Sequence, residues 1–251
     1  MDVPDPGKAA IAAWSAMPRA ALEALDPEGD FAKRHLLNPT VFRMLGDVRG
    51  RRVLDAGAGQ GYFSRLLADR GAHVVSLDAA ESLHAYAVER EADLAQGVEL
   101  LHADLTEVTL EPVFDAVVLN MVLPSIPDWV SALRTSVAGL RPGGLLVFSI
   151  DHPCFEGASD LWASAGCVEV REYLAEYQMP RVHAPDFHRP LSAYLNAVID
   201  AGCRITEVAE PGLEASLVDE GPAGAEALGH VPNFLVVSAV RDDPTRASAS
   251  R

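Results

Sequence analysis

The stretch Val53-Leu54-Asp55-Ala56-Gly57-Ala58-Gly59-Gln60-Gly61 constrains this chain more than any other. It starts as a short apolar run, passes through alternating glycines, and leads into the amphipathic segment Tyr62 to Arg70. A run of that kind, followed by a glycine turn and a helical repeat, is a strand–turn–helix unit. Glycines let the backbone turn sharply there, and let a ligand approach where a Cβ would stand in the way.

The same alternation continues. Ala72 to Leu77 is apolar and ends in Asp78, and Glu81 to Leu94 has helical character. Val98 to His102 and Phe114 to Leu119 read as strands, Asp128 to Leu140 as a helix, and Leu145 to Ile150 as a fifth strand. Apolar runs separated by amphipathic helices predict βαβ units and a mostly parallel sheet. Before this core, residues 9–25 read as a helix broken at Pro18, and residues 31–45 as one interrupted at Asn38-Pro39. After it, residues 151–189 read as irregular. A helix follows at 190–201, then strands at 203–208 and 234–240 and a polar tail. No linker or repeat divides the chain. One domain is expected over 1–251, with a helical lid (1–45), a core (46–150), a variable insert (151–189) and closing helix and strands (190–240).

Strand ends are where ligands sit in open α/β sheets. Asp55 precedes the glycines. The spacing from Gly57 through Gly59 to Gly61 is GxGxG, and Tyr62 stands where a dinucleotide fingerprint would have its third glycine. That speaks against a nicotinamide dehydrogenase. A ligand carrying both an ammonium and a carboxylate needs free amides and an acceptor, which this turn can offer. Asp78 falls where a carboxylate accepts from ribose hydroxyls. Asp104 and its neighbour Leu105 follow the third strand, where an acceptor suits an adenine amino group. Asn120 follows the fourth strand, at the floor of the same crevice.

Taken in order, these motifs and the Leu140-Arg141-Pro142-Gly143-Gly144-Leu145 turn resemble the class I S-adenosylmethionine (SAM) dependent methyltransferases. The resemblance is good over about residues 40 to 150 and looser beyond. It implies a Rossmann-like α/β fold: a mostly parallel, seven-stranded sheet with helices on both faces and a helical or loop lid. It implies SAM as cofactor, with Asp55, Gly57, Gly59, Gly61, Asp78, Asp104, Leu105 and Asn120 around it. The motif Asn120-Met121-Val122-Leu123 departs from the Asn/Asp-Pro-Pro-aromatic motif of nucleic-acid amino methyltransferases. A small-molecule acceptor, methylated on O or N and less readily on C, is the resulting expectation. A SAM-fold protein catalysing a non-methylating reaction such as cyclisation is the alternative.

A formal net charge of −16 disfavours a phosphate-tracking surface, so neither nucleic acid nor an anionic membrane is an expected partner. No apolar run approaches the roughly 20 residues of a membrane span. The N-terminal residues lack a signal-peptide pattern, and the three cysteines make no CxxC. A cytoplasmic enzyme is expected, with room for a homodimer. Asp151 and His152 alone do not make a metal site, and no metal is expected.

Methyl transfer from a sulfonium to a hydroxyl or ammonium requires a proton acceptor. His152 directly follows the fifth strand and is the first candidate base. His188, before the late helix, is the second, and His183 the third. Each can instead be a histidine that shapes a loop, and for His188, a polar residue before Pro at a helix start, that is the favoured reading. The aromatics Trp14, Phe31, Trp129, Phe155, Trp162, Tyr173, Tyr177 and Phe187 suit either an apolar substrate wall or a small core within the covering segments.

Overall fold

A computed structural model of the chain describes residues 5–155, 162, 164–179 and 181–243. In chain order the elements are α1 (Pro6–Ser15), α2 (Arg19–Glu23), α3 (Asn38–Leu45), β1 (Arg52–Ala56), α4 (Tyr62–Asp69), β2 (His73–Asp78), α5 (Glu81–Leu94), β3 (Glu99–His102), β4 (Phe114–Asn120), α6 (Trp129–Gly139), β5 (Leu140–Asp151), β6 (Tyr177–Met179), β7 (Asp186–His188), α7 (Leu191–Asp200), β8 (Cys203–Ala209) and β9 (Phe234–Arg241).

Seven strands form one sheet in the order β3-β2-β1-β4-β5-β9-β8. The pairs β2–β3, β1–β2, β1–β4 and β4–β5 are parallel, while β9 runs antiparallel to both β5 and β8. The expected mostly parallel, seven-stranded sheet is therefore present. Because β2 and β3 lie on one side of β1 and β4 on the other, the strand order reverses at β1/β4. That reversal opens a crevice at the C-terminal ends of these strands.

The central strands are apolar on both sides because both faces are covered. Leu54, Ala56, Val117, Leu119, Leu146 and Phe148 pack toward α6 and α7, with Leu133, Tyr194 and Val198. Their sequence neighbours Val53, Ala116, Val118 and Val147 pack the opposite way, onto Leu37, Val41, Phe63 and Leu67 of the α3–α4 side. A third, smaller cluster joins Leu22, Trp14 and Met17 to Ala80, Leu83 and Tyr86, and so seats the N-terminal segment on α5.

Pro18 separates α1 from α2, as its missing N–H requires. The interruption at Asn38-Pro39 is milder. Lys33–Leu37 makes a π-helical turn that runs straight into α3, with Pro39 in the first helical turn, where it is tolerated. Strand β5 begins at Leu140, earlier than its apolar run. Phe114 pairs with Leu140 and Ala116 with Leu145, so Arg141–Gly144 loop out between the two pairings. The insert carries a feature that its sequence did not announce: β6 and β7 pair as an antiparallel hairpin. Ser125 Oγ donates to Asp186 at 2.6 Å, tying that hairpin to the loop after β4.

Candidate functional site

The glycine turn is shaped from below by β2. The amides of Gly57 and Ala58 both donate to the Leu77 carbonyl, at 2.7 and 2.9 Å. Gly57 has φ +74°, and a Cβ on it would fall 2.4 Å from Val122 Cγ1, so the loop after β4 packs directly on its bare Cα. Gly59 has φ +59°, and its N–H donates to Asp78 Oδ2 at 2.7 Å. Asp78 Oδ1 accepts from Ala80 N at 2.8 Å. Burial raises the Asp78 carboxyl above the ordinary carboxylate range, against the pull of these amides.

A cavity of about 640 Å³ opens above this turn. Its wall includes Gly57, Gly59, Asp78, Asp104, Leu105 and Asn120, so six of the residues expected at a cofactor site meet there. Asp104 lies two residues past β3. Its Oδ1 accepts from the amide and hydroxyl of Thr106, both at 2.8 Å. Asn120 ends β4, accepts from Ser149 Oγ at 2.7 Å, and donates to Tyr62 Oη at 3.5 Å. Tyr62 passes the chain on to Asn38 Oδ1 at 3.3 Å, and Asn38 donates to the Glu28 carbonyl at 2.7 Å. The floor of the cavity is thus wired to the N-terminal segment.

Asp55 and Gly61 lie behind the turn, outside that wall. Asp55 is 1% exposed and accepts from Ser64 Oγ at 2.6 Å, which braces α4 against β1. Burial is the main cause that pushes its carboxyl up to about 7; the Ser64 bond opposes the shift and the nearby Asp78 charge adds to it.

Both first-choice histidines are buried outside the wall. His152 Nε2 lies 2.7 Å from Glu210 Oε1, and its Nδ1 accepts from Cys154 N at 3.2 Å. With Nδ1 accepting, the Nε2–H is the ring's donor toward Glu210. His188 Nε2 is 2.9 Å from the Tyr173 carbonyl, and its ring stacks on Tyr177 at 4.8 Å. His183 is exposed and also stands outside the wall. Of the eight aromatics singled out in the sequence, Trp14 lines the cavity. Phe155 packs on His152, Tyr173 and Tyr177 on His188, and Trp162 on His230, while Trp129, a member of the main core, and Phe187 flank Arg189, so none of these lines the cavity.

The roof comes from the N-terminal segment: Ile11, Trp14, Met17, Leu22 and Leu25 all face the cavity. One residue that sequence reasoning passed over anchors it. Asp26 accepts from Tyr86 Oη at 2.7 Å and from Gln60 Nε2 at 3.3 Å. It also pairs with Arg65 and, at 3.3 Å, with Arg90. Arg65 in turn donates to Gln60 Oε1 at 2.7 Å. The only sequence signal for this hub was a turn-rich Asp-Pro-Glu-Gly run, which names no partner. Among the described residues, no group of three or more His, Cys, Asp or Glu is arranged to hold a metal ion. No helix among them is long and apolar enough to cross a membrane.

A methyltransferase-domain family model matches residues 54–148, which span the glycine turn, β2 to β4 and most of β5. A crystal structure of an S-adenosylmethionine-dependent methyltransferase from Mesorhizobium loti superposes with a TM-score of 0.69. It is 31% identical in sequence, and the alignment covers 81% of this chain and 96% of that one. The chain belongs to the SAM-dependent methyltransferases. Within that family it is 36% identical over 138 residues to a ubiquinone biosynthesis O-methyltransferase from Alkalilimnicola ehrlichii. That match takes in 52% of this chain and 55% of the relative, so the chain spans about half the length of the curated relatives it matches. The [4+2]-cyclase SpnF, 18% identical with a TM-score of 0.59 over 82% of this chain and 80% of its own, shares the fold alone.

Proposed function

We propose that this chain binds SAM in the 640 Å³ cavity and transfers its methyl group to an oxygen or nitrogen of a small molecule. The observation that carries the reading is the meeting of the glycine turn with Asp78 and Asp104 around one cavity at the sheet's switch point. The donor set fits the cofactor's parts. Asp78, desolvated and already accepting two amides, keeps lone pairs for vicinal ribose hydroxyls. Asp104 Oδ2, free of its Thr106 bonds, suits an exocyclic amine. The bare Cα of Gly59 leaves the turn open to the amino-acid end, with Asn120 at the floor.

When bound, the cofactor supplies a methyl group already activated by its sulfonium. The protein's part is then to align the acceptor, exclude water and receive a proton where the acceptor carries one. The apolar roof of Ile11, Trp14, Met17 and Leu25 serves the exclusion of water. Asp128, in the wall where the loop after β4 meets α6, is the wall carboxylate on the acceptor side. The site needs no nucleic acid, and we take the cytoplasm as its setting.

Titration calorimetry with SAM, S-adenosylhomocysteine (SAH) and NAD tests the binding half; micromolar-range affinity for the first two, roughly −7 to −8 kcal/mol, is expected with none for NAD. Transfer of a labelled methyl group from SAM to a panel of phenols and amines tests the rest. SAM binding with no transfer to any acceptor would bring back the cyclisation reading.

A further inference from the structure

The cavity has a side that the cofactor reading does not use. Asp78 and Asp104 stand at β2 and β3, to one side of the switch point. On the β4 side the wall is made by the Val122–Asp128 loop, while α1 and Met17, seated against α5, roof the cavity. Every charged side chain facing the whole cavity is acidic: Asp5, Asp78, Asp104 and Asp128, with no Lys, Arg or His among the described residues. Asp5 and Asp128 are helix caps, of α1 and α6 respectively. Asp5 Oδ1 accepts from Gly7 N at 2.8 Å and Asp128 Oδ1 from Ser131 N at 3.2 Å, and both carboxylates, though exposed to water, line the cavity.

Two arginines beside the Val122–Asp128 loop are held elsewhere. Arg189 lies beneath the same loop, 3% exposed, and donates to the carbonyls of Leu123 at 3.1 Å and Ile126 at 2.9 Å. Arg181 is held by Asp151 at 2.7 Å and Asp186 at 3.1 Å. Neither can swing into the cavity without leaving a partner unpaired. An anion entering an apolar cavity loses its water and needs a cation or several donors in return. This wall offers carboxylates instead, and four of them outweigh the single net positive charge of SAM.

We infer that the acceptor is an uncharged or cationic, largely apolar molecule, and that carboxylate-, sulfonate- and phosphate-bearing acceptors are turned away by this all-acidic wall. The inference rests on the proposed SAM site and adds the charge class of its second ligand.

Two fluorescent probes test it without knowledge of the natural acceptor: N-phenyl-1-naphthylamine and 8-anilinonaphthalene-1-sulfonate, which share one framework and differ by a sulfonate. Each is titrated into the SAH-saturated full chain. The neutral probe is expected to bind, and the sulfonate roughly tenfold or more weakly. The change in that ratio between variants separates charge from general apolarity. Asp128→Lys is expected to narrow the gap several-fold while SAH affinity holds. Asp128→Asn keeps an acceptor for the helix cap and is expected to narrow it less, which covers the case in which the lysine variant does not fold. A sulfonate bound as tightly as the neutral probe, or a ratio that neither variant moves, overturns the inference. If neither probe binds while SAH does, the inference falls and the cofactor reading stands; if SAH itself fails to bind, both fall.

Discussion

Gly59 gives its backbone N–H to Asp78 Oδ2 across 2.7 Å, so the glycine turn and the end of β2 form one unit. The glycine sits in left-handed backbone, φ +59°, with Leu83 Cδ2 as the nearest atom to a Cβ built there, 3.6 Å away. The carboxylate thus does two jobs: it holds the turn, and it presents its remaining lone pairs to the cavity. Asp78→Ala is expected to weaken SAM by about 2 kcal/mol or more, since hydroxyls and an amide lose a charged acceptor. The fold should survive, because Gly57 and Ala58 remain bonded to the Leu77 carbonyl. Calorimetry and a melting curve check the two halves. Unchanged SAM affinity would move the site off this turn.

Asp55 predicts a pH dependence of an unusual sign. Most carboxylates are held below their ordinary range by folding, so stability is lost as acid protonates them. Asp55 is pushed up to about 7, chiefly by burial. The folded chain then keeps a proton that the unfolded chain releases near the ordinary aspartate value. Between these limits the native state binds more protons, so stability falls as pH rises and levels off above about 7. Asp78, also raised, acts in the same direction. In Asp55→Asn an amide still faces Ser64 and the charge is gone. That variant should be more stable than the parent at pH 8, on the order of 1–3 kcal/mol, and flatter from pH 4 to 7. Urea unfolding at several pH values, without ligand, is the measurement. A parent protein whose stability climbs from pH 4 to 7 in step with the variant would show that Asp55 ionises normally.

Much of this was legible in the chain, and the reasons are physical. Strands β1, β2, β4 and β5 are buried on both faces, which writes them as continuous apolar runs. A turn that approaches a ligand closely needs glycine, so it too is visible. What the sequence hid depends on partners far along the chain. The β6–β7 hairpin has three-residue strands, with Tyr177 exposed and no alternation to betray it. Asp26 becomes a hub only when α4 and α5 bring Arg65, Tyr86 and Arg90 around it. His152 does emerge after β5, as its position suggests. Its ring direction was set by Glu210, 58 residues away, which no local pattern encodes.

His152 and His188 separate a structural role from a catalytic one. Both rings are buried, with bonds to Glu210 and to the Tyr173 carbonyl, respectively. His152→Ala leaves Cys154 N without its acceptor and opens a void beside Phe155. A stability loss of about 1–3 kcal/mol is expected, with SAM affinity unchanged and turnover reduced less than about tenfold. His188→Ala should behave alike. Single-turnover methyl transfer beside urea unfolding decides the matter. A fall in kcat of roughly 10²-fold with an unchanged melting temperature would instead make His152 the base.

The sharpest contrast lies in the N-terminal roof, which two sets of ion pairs attach to the body. Arg19 on α2 pairs with Glu23 at 2.8 Å and Glu89 at 2.6 Å, all three exposed to water. Such pairs contribute about 0–1 kcal/mol. Asp26, seven residues on, meets the largely buried Arg65, whose guanidinium is lowered from its ordinary range by that burial. It also meets Tyr86 Oη, Gln60 and Arg90. Asp26→Ala strips the counter-charge from a desolvated cation and removes one acceptor from Gln60, a residue of the glycine turn. The expected cost is about 3 kcal/mol. Leu22, whose carbonyl accepts from Gln60, loosens with it, so the roof should open more often. Trypsin should then cut at Arg19 several-fold faster, and SAM should bind more weakly although Asp26 lies outside the cavity wall. SAM, by closing the roof, should restore part of the protection. Arg19→Ala removes the exposed set, and it should melt within about 1 kcal/mol of the parent and keep full SAM affinity. If the two variants melt alike, or if Asp26→Ala leaves the N-terminal segment as protected as before, the roof is held by the apolar contacts of Leu22, Trp14 and Met17 rather than by Asp26.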